Sequence, residues 1–418
     1  MINVDISNIW GAMSLPDLLK VEAELGQAHR NLLDAQGNYR VKLPGAQDPM
    51  TQRILETGRR IRENSRILVV LGLDSGCRCA QGLVELLQGA DRNLTCREEE
   101  LQILFGGKYL SSRRWNSLLR QLEGKDFSVC VAARKEPAVE TAAALRSLRW
   151  VLERRYGTDD AQKRIYAVTG GSGTLRTMAR EEGWLHFEMA EDLAGGFDAF
   201  SPAVLLTLAA AGLDVQAYLQ GAGEMRDQCG LLSYENPLWL YTGTRKALVS
   251  RGKCIELLRY PEPDFRELAH WWRDMTARAE GCGNGLFPAC GSFGMEEAGL
   301  DRLVCRGEKN LFETLVCFDA PQQQVTIRED ARNTDGLNSL AGCGLEQLRE
   351  DTCRRTVEAQ SDEGVSVICI EAGALTEASL GALLWLFAMS SLLWAGSGEE
   401  LSGGDAWEKH LSALKGNG

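Results

Sequence analysis

The sequence predicts an α/β protein built on parallel sheets, and two observations carry that prediction. Short continuous apolar runs recur, such as ILVVL at 67–71 and RIYAV at 164–168. A strand buried on both faces needs such a run, bounded by turns. Stretches with helical apolar spacing separate the runs, as from Thr141 through Leu152. Strands alternating with helices at this spacing build βαβ units.

Along the chain, residues 1–65 read as helices, PDLLKVEAELGQAHRNLL being the clearest. The run 67–71 is the first strand. A glycine turn (72–76) and a helical stretch through Leu87 follow it. LQILF (101–105), FSVCV (127–131) and RIYAV (164–168) are the next strands, and the last leads through GGSG into a helix, TLRTMAREEG. A second α/β region opens near Gly230. KCIELL (253–258), ETLVCF (313–318) and VSVICI (365–370) read as its strands, while 238–241 reads as helix or strand. Glycine-rich breaks at 281–285 and 396–404 are loops. The expected division is an N-terminal helical segment (1–65), a smaller domain (66–190) and a larger domain with a C-terminal arm (191–418).

The longest apolar stretch, LGALLWLFAMSSLLWA at 380–395, raises the question of a membrane span. Ser390, Ser391 and the lack of a basic flank favour a fully buried helix. The 418 residues exceed one small core, and 44% apolar with 25% charged residues is ordinary globular composition. A net charge of −12 and no run of five Lys or Arg exclude a nucleic-acid backbone as partner. Thirteen cysteines, an odd number, together with the N-terminus MINVDISNIWG, predict reduced thiols in the cytoplasm. Cys77 and Cys79 form a CxC with no second pair at zinc spacing, so no metal and no cofactor are expected.

The segment EGKDFSVCVAARKEPAVETAAALRSLRWVLERRYG (123–157) sets a strand, a short polar turn and a helix in sequence. With RIYAVT, EEGWLHF, AFSPAVLLTLAAAGLDVQAYLQGA, GLFPAC, RGEKNLFET and LNSLAG in order, it resembles bacterial phosphoglucose (glucose-6-phosphate) isomerases nearly end to end. The resemblance implies two αβα domains of sugar-isomerase (SIS) type with parallel sheets, a C-terminal helical arm and a homodimer. It also implies aldose–ketose isomerisation through a catalytic Glu, Arg, His and Lys. Aligned residue by residue, these four positions fall on Arg278, Gly196, Ala298 and Glu408. A guanidinium cannot serve as a base. Glu280 and Lys409 are possible survivors, and a one-residue slip makes Lys409 the family lysine. The inherited phosphate-site positions are Gly72, Ser75, Arg134, Lys135 and Thr141, in a turn stripped of most of its hydroxyls, with Asp74 nearby.

Two readings of function follow from the resemblance. In one, the fold persists without isomerase chemistry and serves binding or regulation, as a homodimer or with a partner protein. In the other, the chain is an active sugar-phosphate isomerase using Glu280, Arg278, Glu408 and Lys409. Arg134, Lys135 and Arg78 read either as an anion site or as solvated turn charges. Arg278 and Glu408 exchange the family's charges, so a contact between them is expected. His270, within LAHWWRDM, reads as a packed helix residue.

Overall fold

The computed structural model describes residues 2–9, 13–34, 43–72, 75–97, 99–134, 136–190, 196–233, 235–279, 285–294, 298–321 and 324–395. Its strands are β1 (Asn3–Asp5), β2 (Ile67–Leu71), β3 (Gln102–Gly106), β4 (Phe127–Ala133), β5 (Ile165–Thr169), β6 (Leu185–Glu188), β7 (Ile255–Tyr260), β8 (Phe287–Ser292), β9 (Leu311–Cys317) and β10 (Ser366–Glu371). Its helices are α1 (Leu15–Asp34), α2 (Pro49–Asn64), α3 (Ser75–Gln88), α4 (Arg92–Thr95), α5 (Ser112–Leu122), α6 (Val139–Tyr156), α7 (Thr158–Gln162), α8 (Thr174–Glu181), α9 (Pro202–Ala211), α10 (Val215–Gln228), α11 (Pro237–Ser250), α12 (Arg266–Ala279), α13 (Ala298–Arg306), α14 (Leu345–Asp362) and α15 (Glu377–Ala395).

Two compact units result, one of residues 34–223 and one of residues 1–33 with 224–397. Packing therefore divides the chain otherwise than at 65/66 and 190/191. Two interactions explain this. Helix α9 is buried from Ala203 to Ala211 and packs on α2 and α3, which keeps 202–211 with the first unit. Strand β1 pairs antiparallel with β10, so the first residues form a strand rather than a helix and join the second unit.

In the 34–223 unit the sheet order is β3-β2-β4-β5-β6, and every pairing is parallel. Every residue of β2, β4 and β5 is buried, as a sheet covered on both faces requires. Val69, Val129, Leu145, Leu148 and Leu152 lie at the centre of one core. On α2, Gly58 makes room for α9: a Cβ there would meet Ala209 Cβ at 2.6 Å and the Ala210 nitrogen at 2.9 Å.

The second unit has the order β1-β10-β9-β7-β8, parallel except for β1. Residues 238–241 are helical: Asn236 caps α11 by accepting from Leu238 N at 2.8 Å, and Pro237 opens the helix. Helix α15 packs on α11 and α12 and is buried inside the unit, as expected of the 380–395 stretch. Its burial within one unit removes it as an argument for a dimer.

Two buried arginines organise this sheet. Arg245 meets Glu256 through Nη2 at 2.6 Å and Nε at 2.8 Å, with both side chains almost fully buried. Thr314 and Tyr241 also donate to Glu256 Oε1, at 2.7 and 3.1 Å. Arg259 projects from the other face of β7, as its odd spacing from Glu256 dictates. It pairs with Asp301 of α13, and its Nη1 lies 3.5 Å from Glu313 Oε1.

Burial pushes the Glu313 carboxyl up to about 7, outweighing the pull of Arg259, and Asp301 adds to the rise. The folded state therefore holds this proton more tightly than the unfolded chain does. The resulting stability is present below about pH 4.3 and is lost as pH rises through 7.

Two predictions follow. Gly58→Ala lowers stability by about 1–3 kcal/mol, because overpacking against α9 outweighs the gain in helix propensity. A melting temperature equal to or above that of the parent would show that α9 yields freely. Glu313→Gln flattens the loss of stability between pH 4.5 and 7.5, by up to ~3 kcal/mol. Parallel pH profiles for parent and variant in denaturant titrations would contradict this.

Candidate functional site

Both sheets reverse strand order at a defined point. In the 34–223 unit the chain moves from β2 to β3 on one side and then places β4 on the other. The crevice beyond the carboxyl ends of such strands is where open α/β sheets bind ligands. Gly72 follows β2 and the 134–138 turn follows β4, so the inherited positions flank this crevice. A Cβ at Gly72 would stand 2.3 Å from Cys77 Sγ, so any other residue there requires the Cys77 side chain to move. Ser75 opens α3.

The groups at the turn find partners within the chain. Arg134 Nη2 lies 3.8 Å from Asp198 Oδ2, and Asp198 is buried. Thr141, buried in the first turn of α6, donates its hydroxyl to the Gly107 carbonyl at 3.2 Å. Glu136 Oε1 accepts from Thr174 N at 3.0 Å and so occupies the N-terminus of α8, where an external anion could otherwise sit. Lys135 and Asp74 lie outside the described residues.

Asp198 sits on the 3-10 turn Phe197–Phe200, just before Ser201 and Pro202 open α9. Tyr218 fixes that turn by donating to the Ala199 carbonyl at 3.0 Å. The buried Cys79 thiol is pushed well above its ordinary value, chiefly by burial and further by the Asp198 charge. The Tyr218 phenol is raised for the same reasons, with Cys79 contributing. The sequence reading missed Asp198. A lone acid inside the apolar run GGFDAFSP was the available signal.

Gly196, where the resemblance puts the family arginine, is buried with φ +91°. This left-handed backbone suits glycine and strains any residue with a Cβ. In the other unit, Arg278 lies on the last turn of α12 and is exposed, and Ala298 is the exposed first residue of α13. Glu280, Glu408 and Lys409 lie outside the described residues, and with them the expected Arg278–Glu408 contact and the C-terminal arm. The structure thus brings Gly72, Arg134 and Thr141 to one crevice and supplies Asp198 as an unforeseen partner.

Among the described residues, no group of three His, Cys, Asp or Glu is placed to hold a metal ion. No disulfide links the described cysteines. Two of the histidines make specific contacts. His29 Nδ1 accepts from Trp239 Nε1 at 2.8 Å, and burial lowers its basicity. His186 Nε2 lies 2.7 Å from Thr169 Oγ1. A cleft of about 430 Å³ beside α2 and α9, lined by Glu56, Arg59, Arg62 and Asp214, includes none of the inherited positions.

No protein-family model matches the chain. The glucose-6-phosphate isomerase of Bacillus cereus is 34% identical over 373 residues, which cover 87% of this chain and 83% of that protein. The Bacillus cytotoxicus protein of the same name gives the same figures. This chain belongs to the glucose-6-phosphate isomerase family. Solved structures agree on the fold. A hypothetical protein of Thermus thermophilus superposes with a TM-score of 0.83 at 21% identity, covering all of both chains. A glucose-6-phosphate isomerase of Chlamydia trachomatis superposes with a TM-score of 0.69 at 14% identity, covering 94% of this chain and 79% of that one. The two parallel-sheet αβα units are those of a sugar-isomerase fold.

Proposed function

We propose that this glucose-6-phosphate isomerase-family chain does not turn over sugar phosphate and acts in the cytoplasm by binding, as a homodimer or with a partner protein. The observation that carries this reading is Arg278. Isomerisation needs a carboxylate to move a proton between neighbouring sugar carbons, and the resemblance places that carboxylate at Arg278. A guanidinium holds its proton at every relevant pH. Loss of a general base removes about 10²–10⁴ in rate. Gly196 and Ala298 leave two further family positions without side chains that can stabilise charge or open the ring. At the crevice, Arg134 faces Asp198, which weakens its appeal to a phosphate.

The second reading, an active isomerase, is favoured by the 34% identity to curated isomerases over most of their length. Its acid/base set would come from Glu280, Arg278, Glu408 and Lys409.

A coupled assay for interconversion of glucose 6-phosphate and fructose 6-phosphate separates the two readings. Turnover at least about 10⁴ below that of a Bacillus relative is expected. Arg278→Glu alone does not restore it, because the 134–138 turn still lacks its hydroxyls. Turnover near that of the relative would establish the second reading.

A further inference from the structure

Arg259 of β7 and Glu313 of β9 leave the sheet on the same face. Leu257 stands opposite Glu313 and Arg259 opposite Leu315, so the two charged side chains are diagonal neighbours. Around them lies an apolar core that includes Leu257, Val304, Leu315, Val357 and Val367. Gln360 follows Val357 by one turn of α14 and so shares its side of the helix. Arg259, Glu313 and Gln360 are each 0% exposed.

Part of this polar set is answered within the chain. Arg259 Nη2 donates to Asp301 of α13, which meets the guanidinium charge, and the Phe293 ring lies 5.0 Å from the guanidinium carbon. The rest is not answered. Arg259 Nε and Nη1, both oxygens of Glu313 and both amide atoms of Gln360 have no hydrogen-bond partner among the described residues. Arg259 Nη1 and Glu313 Oε1 stand 3.5 Å apart, too far for a normal direct bond and within the span of one bridging molecule. Buried polar atoms are nearly always bonded, so three such groups in one core call for a common partner.

We propose that this core is a binding site for resident water, about two molecules held by the free atoms of Arg259, Glu313 and Gln360. The mixture of donors and acceptors decides the ligand. Arg259 and the Gln360 nitrogen offer N–H groups, while Glu313 and the Gln360 oxygen accept. An anion placed here meets the Glu313 carboxyl, and a cation meets the Arg259 guanidinium. Water is neutral, donates and accepts, and makes about three bonds per buried molecule, so about two molecules engage all of the free atoms. They tie β7, β9 and α14 together where the side chains do not meet directly. The site holds whether or not the chain isomerises sugar phosphates, since it shares no residue with the inherited positions.

A high-resolution crystal structure of the full chain tests this, together with water-relaxation dispersion in solution, which counts long-lived internal waters. Ordered density is expected about 2.7–3.2 Å from polar atoms of at least two of the three side chains. Gln360→Met keeps the side-chain volume and removes both amide partners, so the dispersion amplitude falls by the equivalent of about one water. Glu313→Gln keeps an oxygen, adds an N–H group and leaves the amplitude unchanged. Should Gln360→Met fail to fold, the density in the parent protein decides alone. Arg259 Nη1 bonded directly to Glu313, with no density beside Arg259 Nε or the Gln360 amide, would overturn the proposal. Density that refines as a halide or a metal ion, or an amplitude equal in parent and Gln360→Met, would do the same.

Discussion

A charge taken out of water must be answered by another charge or by hydrogen bonds, and this chain meets that requirement from its own residues. The plainest case is Arg245 with Glu256. Glu256 lies on the interior strand β7, and Arg245 reaches it from α11 with two short bonds. Thr314 of β9 and Tyr241 of α11 complete the carboxylate, while Arg245 also donates to Ser390 of α15 at 3.2 Å. Two strands and one helix thus meet at one buried carboxylate, and Arg245 ties a second helix to it. Replacing either partner alone leaves the other uncompensated, so the elements are held in one register.

The same requirement governs the crevice of the 34–223 unit. In the family that the chain belongs to, the resemblance assigns the turn after β4 to a phosphate. Here Arg134 is faced by the buried Asp198, Thr141 by the Gly107 carbonyl, and the N-terminus of α8 by Glu136. These three groups, among the described residues, each have an internal partner. Beyond the second sheet the pattern recurs: Glu262, just after β7, is paired with Arg349 of α14 at 2.6 Å.

The parts of the fold legible in the sequence are those where local pattern and burial agree. Strands β2, β4 and β5 are continuous apolar runs because both faces are covered, and α15 is apolar on every side because it is enclosed. Strands β1, β6 and β8 escaped. The first has three residues and depends on β10. The other two are edge strands in which His186 and Glu188, or Pro288 and Gly291, blur the pattern. The division of the chain was equally hidden, since α9 has no polar face to reveal which unit it packs on. At the crevice, motif order located Gly72, Arg134 and Thr141. It could not reveal Asp198, whose role rests on a contact distant along the chain.

The central claim is that Asp198 already answers the charge at the phosphate turn. Calorimetric titration of inorganic phosphate at low salt tests it directly, using the parent, Asp198→Asn, and Asp198→Asn combined with Arg134→Gln. The account predicts binding weaker than about 10 mM in the parent, binding at least about tenfold tighter in Asp198→Asn, and loss of that gain in the double variant. Tight phosphate binding by the parent, unchanged when Asp198 is neutralised, would contradict it.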